Sequence, residues 1–275
     1  MKSAAFDYIR PRSLAEASVA LGRKGLTTAA IAGGQSLLPM LNLRVANVDL
    51  LVDISRIADL KAVTETPTGI WIGALTTHAA IEDGKVPDLF GGLMRRVAGQ
   101  IAYRAVRNHG TIGGSVALAD PAGDWACCLI ALGADVRVVG RGGMRFQPVA
   151  EFIRSPFETT LTTGELIVGF DIPGSQTPFR WGFAKVARKS GAFADSIAIA
   201  VARGNGPVSV ALGAAGPRAA LLAAVSKQVQ AGETEAALRL AIESDLGLHA
   251  PDADAYRKRM HTATILRAIR DMRAQ

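Results

Sequence analysis

Two short glycine-rich segments constrain the fold of this chain more than any other feature. They read AGGQS at 32–36 and TIGGS at 111–115, and each ends in a hydroxyl residue. A glycine pair lets the backbone take dihedrals that a Cβ forbids, so successive N–H groups can converge on an anion. Either pair alone is more typical of an ordinary tight turn. Both together predict two backbone nests that close on one anionic ligand.

The composition is typical of a globular protein with two or three subdomains. The chain has 275 residues, and 49% of them are hydrophobic, which is enough to bury a sizeable core. No apolar run approaches the length of a membrane span, and the N-terminus lacks the apolar stretch of a secretory signal. We therefore expect a soluble, cytoplasmic protein without a transmembrane segment.

The residues that commonly bind metals are too scattered to predict a metal site. Cys127 and Cys128 are adjacent, so they cannot supply an iron–sulfur cluster or a disulfide framework, and the four histidines occur singly. Both cysteines are expected to be buried thiols on a helix. Any iron–sulfur or metal chemistry must then lie in another polypeptide.

A formal charge of +7 does not by itself predict nucleic-acid binding, because the basic residues form no dense tract with interleaved aromatics. The best candidate is a predicted C-terminal helix over 254–272, where basic residues surround an apolar stripe. That pattern is typical of a solvated face opposite a packed one. Partner docking is the second interpretation of the basic face, and we expect no nucleic-acid partner.

The pattern along the chain predicts an α+β fold in three units. In the first, over 1–60, Ser13 and Glu16 form a capping-box pattern that predicts a helix running to about Lys24. The other elements predicted there are a strand over 27–32, a short helix over 37–43 and a strand over 50–54. AGGQS would then lie on the loop that leaves the first strand.

The second unit, over 61–172, would carry the other half of the ligand cleft. Its predicted elements are a strand over 70–72, a helix start at 77–81, a helical stretch over 89–106 broken at Gly99, a helix over 124–132, and a strand over 135–139 that leads into a glycine turn at 140–143.

The third unit, over 173–275, is predicted to be an antiparallel sheet with helices added. Its predicted elements are strands over 181–186, 196–203 and 208–214, a turn at Gly204-Asn205-Gly206-Pro207, and helices over 219–224, 234–242 and 254–272.

Two well-known phosphate-binding motifs are absent from the sequence. There is no G-x-x-x-x-G-K-[ST] segment, and no G-x-G-x-x-G lies between a strand and a helix. ATP hydrolysis and a Rossmann-type nicotinamide site both lose support. Two glycine loops from separate subdomains are better suited to an extended dinucleotide whose pyrophosphate is held from both sides.

The wider contexts of the two segments resemble the flavin-binding medium subunit of the molybdenum hydroxylases, a family that includes carbon monoxide, xanthine and N-heterocycle dehydrogenases. These contexts are IAGGQSLLPMLNLR and RNHGTIGGSVALADPAGD. The resemblance continues in FDYIRPRSLAEA, GELIVGFDIP and FAKVARKSGAFA, so it covers nearly the whole chain. It implies a two-subdomain FAD-binding cradle like that of the vanillyl-alcohol-oxidase superfamily, followed by the C-terminal sheet with helices.

The resemblance also implies the ligand and its contacts. The ligand would be FAD, bound without a covalent link, and no residue of this chain would be catalytic or bind a metal. The implied cofactor-binding residues are Ala32, Gly33, Gly34, Gln35, Ser36, Leu37, Ile101, Thr111, Ile112, Gly113, Gly114, Ser115, Asp124, Ile167, Lys185 and Phe193.

Four of these residues have equally ordinary alternatives. Asp124 precedes an apolar helical run and is also a candidate helix cap, and Ile167 is also a buried strand residue. Lys185, which the resemblance places near the pyrimidine end of the flavin, would point to solvent in most strands. Phe193 either stacks on the flavin or packs in the core. Asp195 departs from the small or apolar residue typical of the family.

The implied function is electron transfer within an obligate assembly, a heterotrimer or its dimer. FAD would take electrons from [2Fe-2S] clusters on a small partner subunit and pass them to an external acceptor, while a large subunit with the molybdenum cofactor hydroxylates the substrate. Two alternatives stay open. One is a self-contained FAD-dependent oxidoreductase with its own substrate site, and the other is a non-enzymatic basic interaction module whose glycine loops are only turns.

Overall fold

The computed structural model describes residues 2–174, 178–204 and 206–275. Their strands form three larger sheets and one two-stranded sheet. The turn predicted at 204–207 contains Asn205, which lies outside the described residues. Within the described ranges, no helix combines the length and apolarity needed to cross a membrane.

The first sheet is parallel and comes from the N-terminal part of the chain. It contains β1 (Asp7–Ile9), β2 (Thr28–Ile31) and β3 (Leu50–Asp53) in the order β1-β3-β2, with helices α1 (Leu14–Leu21) and α2 (Leu37–Asn42) between the strands. All three strands end at the same edge because they are parallel. AGGQS leaves β2 at that edge, as the sequence predicts.

The predicted capping box of α1 is confirmed in part. The Ser13 hydroxyl accepts the Glu16 N–H at 3.2 Å. The Glu16 carboxylate reaches back to the N–H of Arg12 at 2.9 Å, one residue earlier than the reciprocal bond of a capping box. The helix ends at Leu21, before the predicted Lys24, because Gly22 closes its last turn.

The second sheet is antiparallel and has five strands in the order β4-β5-β10-β6-β7. Its strands, together with the short pair β8–β9, are β4 (Val63–Thr66), β5 (Gly69–Gly73), β6 (Asp135–Gly140), β7 (Gly143–Pro148), β8 (Ile153–Ser155), β9 (Glu158–Thr159) and β10 (Leu166–Pro173). A 3₁₀ turn over Ala58–Lys61 and the following helices accompany it: α3 (His78–Glu82), α4 (Leu93–Ala98), α5 (Arg104–Arg107), α6 (Ile112–Leu118), α7 (Asp124–Ala131) and α8 (Val149–Phe152).

The helical stretch predicted over 89–106 is two short helices rather than one broken helix. The break begins at Gly99, as predicted, but it extends to Tyr103, and Ala102 within it has a left-handed φ of 44°. The prediction of buried helical thiols is confirmed, since Cys127 and Cys128 lie fully buried on α7. Burial raises the pKa of both thiols, which makes them poor nucleophiles.

The third sheet is antiparallel, and its neighbouring helices follow it in the chain, as predicted. Its elements are β11 (Phe179–Val186), β12 (Ser196–Arg203), β13 (Val208–Gly213), β14 (Ala220–Leu221), α9 (Ala223–Ala231), α10 (Glu235–His249) and α11 (Ala255–Arg273). The helix predicted over 219–224 is wrong at its start. Ala220 and Leu221 instead pair with β13, which satisfies their backbone groups in the sheet, and α9 begins only at Ala223.

The division of the chain at residues 60 and 172 stays a prediction. β12 joins two hydrophobic cores, because successive side chains of a strand point to opposite faces. One face contributes to the core shared with the first two sheets, and the other packs under α9, α10 and α11. The residues on these two faces are Ile197, Ile199 and Val201, and Ala198, Ala200 and Ala202.

Glycine at position 182 lets α11 approach the third sheet closely. A Cβ added at Gly182 would overlap the carbonyl oxygen of Ala268 and would lie 2.6 Å from the backbone nitrogen of Met272. We expect Gly182→Ala to lower the free energy of unfolding by at least about 2 kcal/mol, since backbone atoms cannot give way as side chains can. Gly142→Ala is the matched control, because nothing lies within 4 Å of its added Cβ. Urea unfolding measures both, and equal stabilities would contradict this packing.

Candidate dinucleotide-binding site

The two glycine segments line one cleft of about 600 Å³. Its walls come from the edge of the first sheet, from residues within 74–123 and 161–167, and from the segment between β11 and β12. Of the predicted site residues, all but Ile112, Asp124 and Lys185 line it. The predicted convergence of the two segments on one cavity therefore agrees with the structure, although the individual ligand contacts stay predictions.

The AGGQS segment requires glycine at two positions for two different reasons. Gly34 has a left-handed φ of 69°, which favours glycine. At Gly33 the requirement is space, because an added Cβ would overlap the carbonyl oxygen of His109. The first glycine segment thus packs directly against the chain that leads into the second one.

The AGGQS segment presents free backbone donors to the cleft. Among the described residues, the N–H groups of residues 33–37 have no protein acceptor within hydrogen-bonding distance, and the first donor of this stretch that does is Leu38, which bonds to Gly34. The side chain of Gln35 folds back onto the carbonyl oxygen of Gly33 at 2.9 Å and leaves these donors uncovered. Successive free N–H groups in a turn are the feature that anion-binding backbone nests share.

The TIGGS segment is the start of α6, so the prediction of a second backbone nest is wrong. Thr111 is the N-cap, and its hydroxyl accepts the Gly114 N–H at 3.0 Å. The N–H of Ile112 bonds to Thr76 at 3.0 Å, and that of Gly113 to Ala74 at 2.9 Å. The donors at 112–114 are thus used inside the protein, and neither glycine has a positive φ.

Close packing explains the first glycine of TIGGS. The segment lies antiparallel to residues 74–78, with an isolated bridge between Thr77 and Thr111. A Cβ added at Gly113 would lie 2.5 Å from the Cβ of Ala74. Gly114 and Ser115 remain at the surface of the cleft.

A charged network fixes the wall that contains Ile101 and Ala102. Arg107 donates to the carbonyl oxygens of both residues at 2.9 Å. The guanidinium is in turn held by two bonds to Glu82, at 2.8 and 2.9 Å. These bonds lower the pKa of Glu82 and keep the carboxylate charged. The left-handed backbone at Ala102 is thereby held in place.

Phe193 lies at the mouth of the cleft with 61% of its surface exposed, so its alternative as a core residue is wrong. Its segment is pressed onto the opposite wall, because a Cβ added at Gly191 would lie 2.5 Å from the carbonyl oxygen of Ala102. Ile167 contributes to the cleft from β10 and is only 5% exposed. Ile167 is therefore both a buried strand residue and a residue that lines the cleft.

Lys185 and Asp124 form a buried ion pair behind the cleft wall. The Nζ of Lys185 lies 2.8 Å from Asp124 Oδ1 and 3.3 Å from the carbonyl oxygen of Gln100, and the two side chains are 6% and 5% exposed. The solvent-facing alternative for Lys185 is therefore wrong. So is the capping role of Asp124, because Gly123 is the N-cap of α7. Burial raises the pKa of Asp124, and the charge of Lys185 opposes that rise.

Sequence reasoning missed His78, which lines the cleft and is 5% exposed. Its Nδ1 accepts the indole N–H of Trp125 at 3.0 Å. Burial, assisted by the charge of Arg107, lowers the pKa of His78 to about 4. An isolated histidine carries no sequence signal for such a position, since only the fold brings Trp125 and Gly110 next to it.

Two acidic residues of the cleft were also missed. The carboxylate of Glu165 is held by Arg145 through two bonds of 2.8 Å, which lower its pKa to about 2. Asp120 accepts the N–H of Ala122 at 2.9 Å. Because Arg145 pairs with Glu165, the cleft does not present two free carboxylates to an anionic ligand.

We expect Lys185→Met to lower the free energy of unfolding by about 3–5 kcal/mol at neutral pH, because Asp124 is then a buried charge without a partner. A carboxyl group whose folded pKa is raised stabilises the protein below its unfolded pKa, and that contribution is lost as the pH rises through the folded pKa. The loss caused by Lys185→Met should therefore be smaller at about pH 4.5 than at about pH 7.5.

Urea unfolding at the two pH values tests this expectation. Lys185→Met combined with Asp124→Leu should recover part of the stability, since no buried charge remains. The control is Arg239→Met, which breaks an ion pair on α10 whose side chains are 56% and 59% exposed and should cost less than about 1 kcal/mol. Similar losses in Lys185→Met and the control would contradict the buried pair.

Known proteins are similar to this chain in both sequence and fold. Residues 4–175 match the family described as FAD binding domain in molybdopterin dehydrogenase. The glyceraldehyde dehydrogenase medium chain of Sulfolobus acidocaldarius is 37% identical over 200 residues, which cover 71% of this chain and 69% of that protein. The carbon monoxide dehydrogenase medium chain of Hydrogenophaga pseudoflava is 34% identical over 201 residues, covering 73% and 70%.

Two solved structures extend the likeness to the full chain. One chain of carbon monoxide dehydrogenase from Hydrogenophaga pseudoflava superimposes on this protein with a TM-score of 0.92 at 30% identity, over 100% of this chain and 99% of that chain. Quinoline 2-oxidoreductase from Pseudomonas putida superimposes with a TM-score of 0.89 at 29% identity, over the same shares. The C-terminal sheet with its helices is thus part of the shared fold. The chain belongs to the family of FAD-binding domains of molybdopterin dehydrogenases.

Proposed function

We propose that this chain is the FAD-binding electron-transfer subunit of a heteromeric molybdenum hydroxylase. The observation that carries the proposal is the row of five free N–H groups at residues 33–37, which opens into a cleft with apolar walls. Backbone donors of this kind suit the pyrophosphate of a dinucleotide, and an apolar wall suits a flat ring system.

The residues of the cleft suit an FAD molecule that is bound without a covalent link. In our proposal the N–H groups of 33–37 bind the pyrophosphate, while Gly114 and Ser115 approach it from the other side. Ile101 and Ile167 form the apolar surface for the isoalloxazine ring, and Phe193 covers it at the mouth. The remaining predicted contacts, Ala32, Thr111 and Gly113, line the same cleft.

In this proposal Ile112, Asp124 and Lys185 support the site from behind. Ile112 is fully buried, and Lys185, which is paired with Asp124, donates to the carbonyl oxygen of Gln100, next to Ile101. Lys185 thus fixes the wall against which the ring would lie and adds a positive charge close to it. That charge favours a ring that has gained electrons.

The chemistry that FAD supplies when bound is storage of two electrons, taken up one at a time and passed to an external acceptor. The protein contributes position, electrostatics and exclusion of water. The partners we propose are a small [2Fe-2S] subunit, which delivers the electrons, and a large subunit with the molybdenum cofactor, which carries out the hydroxylation. We place this assembly in the cytoplasm.

The names of the relatives support this division of labour. Medium or FAD subunits of this kind are named for dehydrogenases and hydroxylases of glyceraldehyde, carbon monoxide, nicotine and nicotinate. Such different substrates accompany one type of flavin subunit, so in our proposal the partner subunit selects the substrate.

The purified chain should take up one FAD per chain, and acid should release the flavin unmodified, because the cleft offers hydrogen bonds and packing for its binding. A visible spectrum after removal of free FAD measures the stoichiometry. The purified chain with bound FAD should oxidise no hydroxylase substrate by itself. It should co-purify with the iron–sulfur and molybdenum subunits when the three are expressed together. Substrate turnover by the chain alone would favour the self-contained oxidoreductase, whereas a folded chain that binds no flavin would favour an interaction module.

Gly33→Ala should weaken FAD binding by at least about tenfold, a loss of about 1.4 kcal/mol, because the added Cβ displaces the donor segment from His109. Gly247→Ala on α10 is the control, since its Cβ meets nothing within 4 Å. Flavin fluorescence titration measures both dissociation constants, and circular dichroism checks that both variants are folded. An unchanged dissociation constant for folded Gly33→Ala would show that residues 33–37 do not hold the ligand.

A further inference from the structure

His78 occupies a position in the cleft that its role in packing does not explain. It is the first residue of α3, and its own N–H bonds to the carbonyl oxygen of Gly110 at 2.9 Å. Its ring lies against the backbone of Gly110, where an added Cβ would be 2.8 Å from both Nε2 and Cδ2. The ring is thus held at the chain segment that leads into TIGGS.

The hydrogen bond from Trp125 fixes the tautomer of His78. An indole nitrogen can only donate, so Nδ1 of His78 must be the acceptor in the 3.0 Å bond. In a neutral imidazole the proton then resides on Nε2. Burial keeps the ring neutral at physiological pH by lowering the pKa of His78.

The Nε2–H of His78 has no acceptor in the part of the chain that the structure describes, although the residue is 95% buried. The Nε2 atom itself nevertheless reaches the surface of the cleft, because it is not among the fully enclosed side-chain atoms that lack a partner. A donor that faces the cleft and has no acceptor in the described protein is available to an acceptor atom of the ligand.

The neighbours of His78 identify the part of the ligand it would meet. Gly33 packs on the carbonyl oxygen of His109, and the His78 ring packs on Gly110, the next residue. The ring is therefore close to the free donors of residues 33–37. The nearby cation Arg107 is engaged by Glu82 and by two carbonyl oxygens, so it does not compete for the same ligand atom.

We propose that His78 donates its Nε2–H, as a neutral group, to a phosphate oxygen of the bound dinucleotide. The inference rests on the proposed function, because it requires FAD in this cleft. His78 then completes the set of donors begun by residues 33–37, and Trp125 acts as a positioning residue that sets its tautomer.

Two substitutions test the roles of the two ring nitrogens of His78 separately. His78→Asn offers an oxygen near the position of Nδ1, so it retains an acceptor for Trp125 and loses the donor in the cleft. His78→Gln places an amide N–H near the position of Nε2, so it retains the donor and loses the acceptor. Both variants are to be titrated with FAD, with ADP and with riboflavin, using the full-length chain.

His78→Asn should weaken the binding of FAD and ADP by about tenfold or more, as expected for a lost hydrogen bond to a charged oxygen. Riboflavin has no phosphate, so its binding should stay within about twofold of wild type. His78→Gln should bind FAD more tightly than His78→Asn. Unchanged FAD and ADP binding by folded His78→Asn, or an equal loss for riboflavin, would overturn the inference.

A measurement on the wild-type chain covers the case in which the variants do not fold. With ¹⁵N-labelled histidine, the His78 ring should show a protonated Nε2 and an unprotonated Nδ1, and ADP should shift the Nε2–H signal. A protonated Nδ1, or an Nε2–H signal unchanged at saturating ADP, would also overturn it. If the wild-type chain binds neither FAD nor ADP, the proposed function itself fails, which is a different result from a variant that binds as wild type does.

Discussion

The close contact between Gly33 and the carbonyl oxygen of His109 is the constraint on which the cleft depends. It joins the carboxyl edge of the parallel sheet to the segment that caps α6. A second close contact, between Gly113 and Ala74, locks that cap onto residues 74–78. Neither Gly33 nor Gly113 has room for a Cβ. Close backbone packing, rather than flexible side chains, therefore fixes the position of one glycine segment relative to the other.

The hydrogen-bonding groups of the site divide into those already used and those left for a ligand. The donors of TIGGS at 112–114 bond within the protein, Arg107 supports a wall, and Lys185 pairs with Asp124 behind it. The N–H groups of residues 33–37 and the Nε2–H of His78 have no partner in the described part of the chain. These free donors are all neutral, so the cleft would bind an anion through dipoles in a partly buried setting, where each bond is stronger than in water.

Sequence patterns predicted the α+β fold, the three long strands of the third sheet and the meeting of the two glycine segments, because alternation, caps and glycine positions are local signals. They did not predict that TIGGS is a helix start, since Gly113 is required by Ala74, which is distant in sequence. The pairing of Ala220 and Leu221 with β13, the burial of Lys185 and the role of His78 were missed for the same reason. Each depends on a tertiary neighbour that no local pattern contains.

Amide hydrogen exchange, resolved by residue, tests the central claim most directly. Without FAD, the N–H groups of residues 33–37 should exchange fast, because they have no protein acceptor, and that of Gly113 should exchange slowly because it bonds to Ala74. Stoichiometric FAD should slow the exchange at 33–37 strongly and leave Gly113 nearly unchanged. Exchange at 33–37 that stays fast in the flavin-bound protein would show that another part of the molecule holds the pyrophosphate.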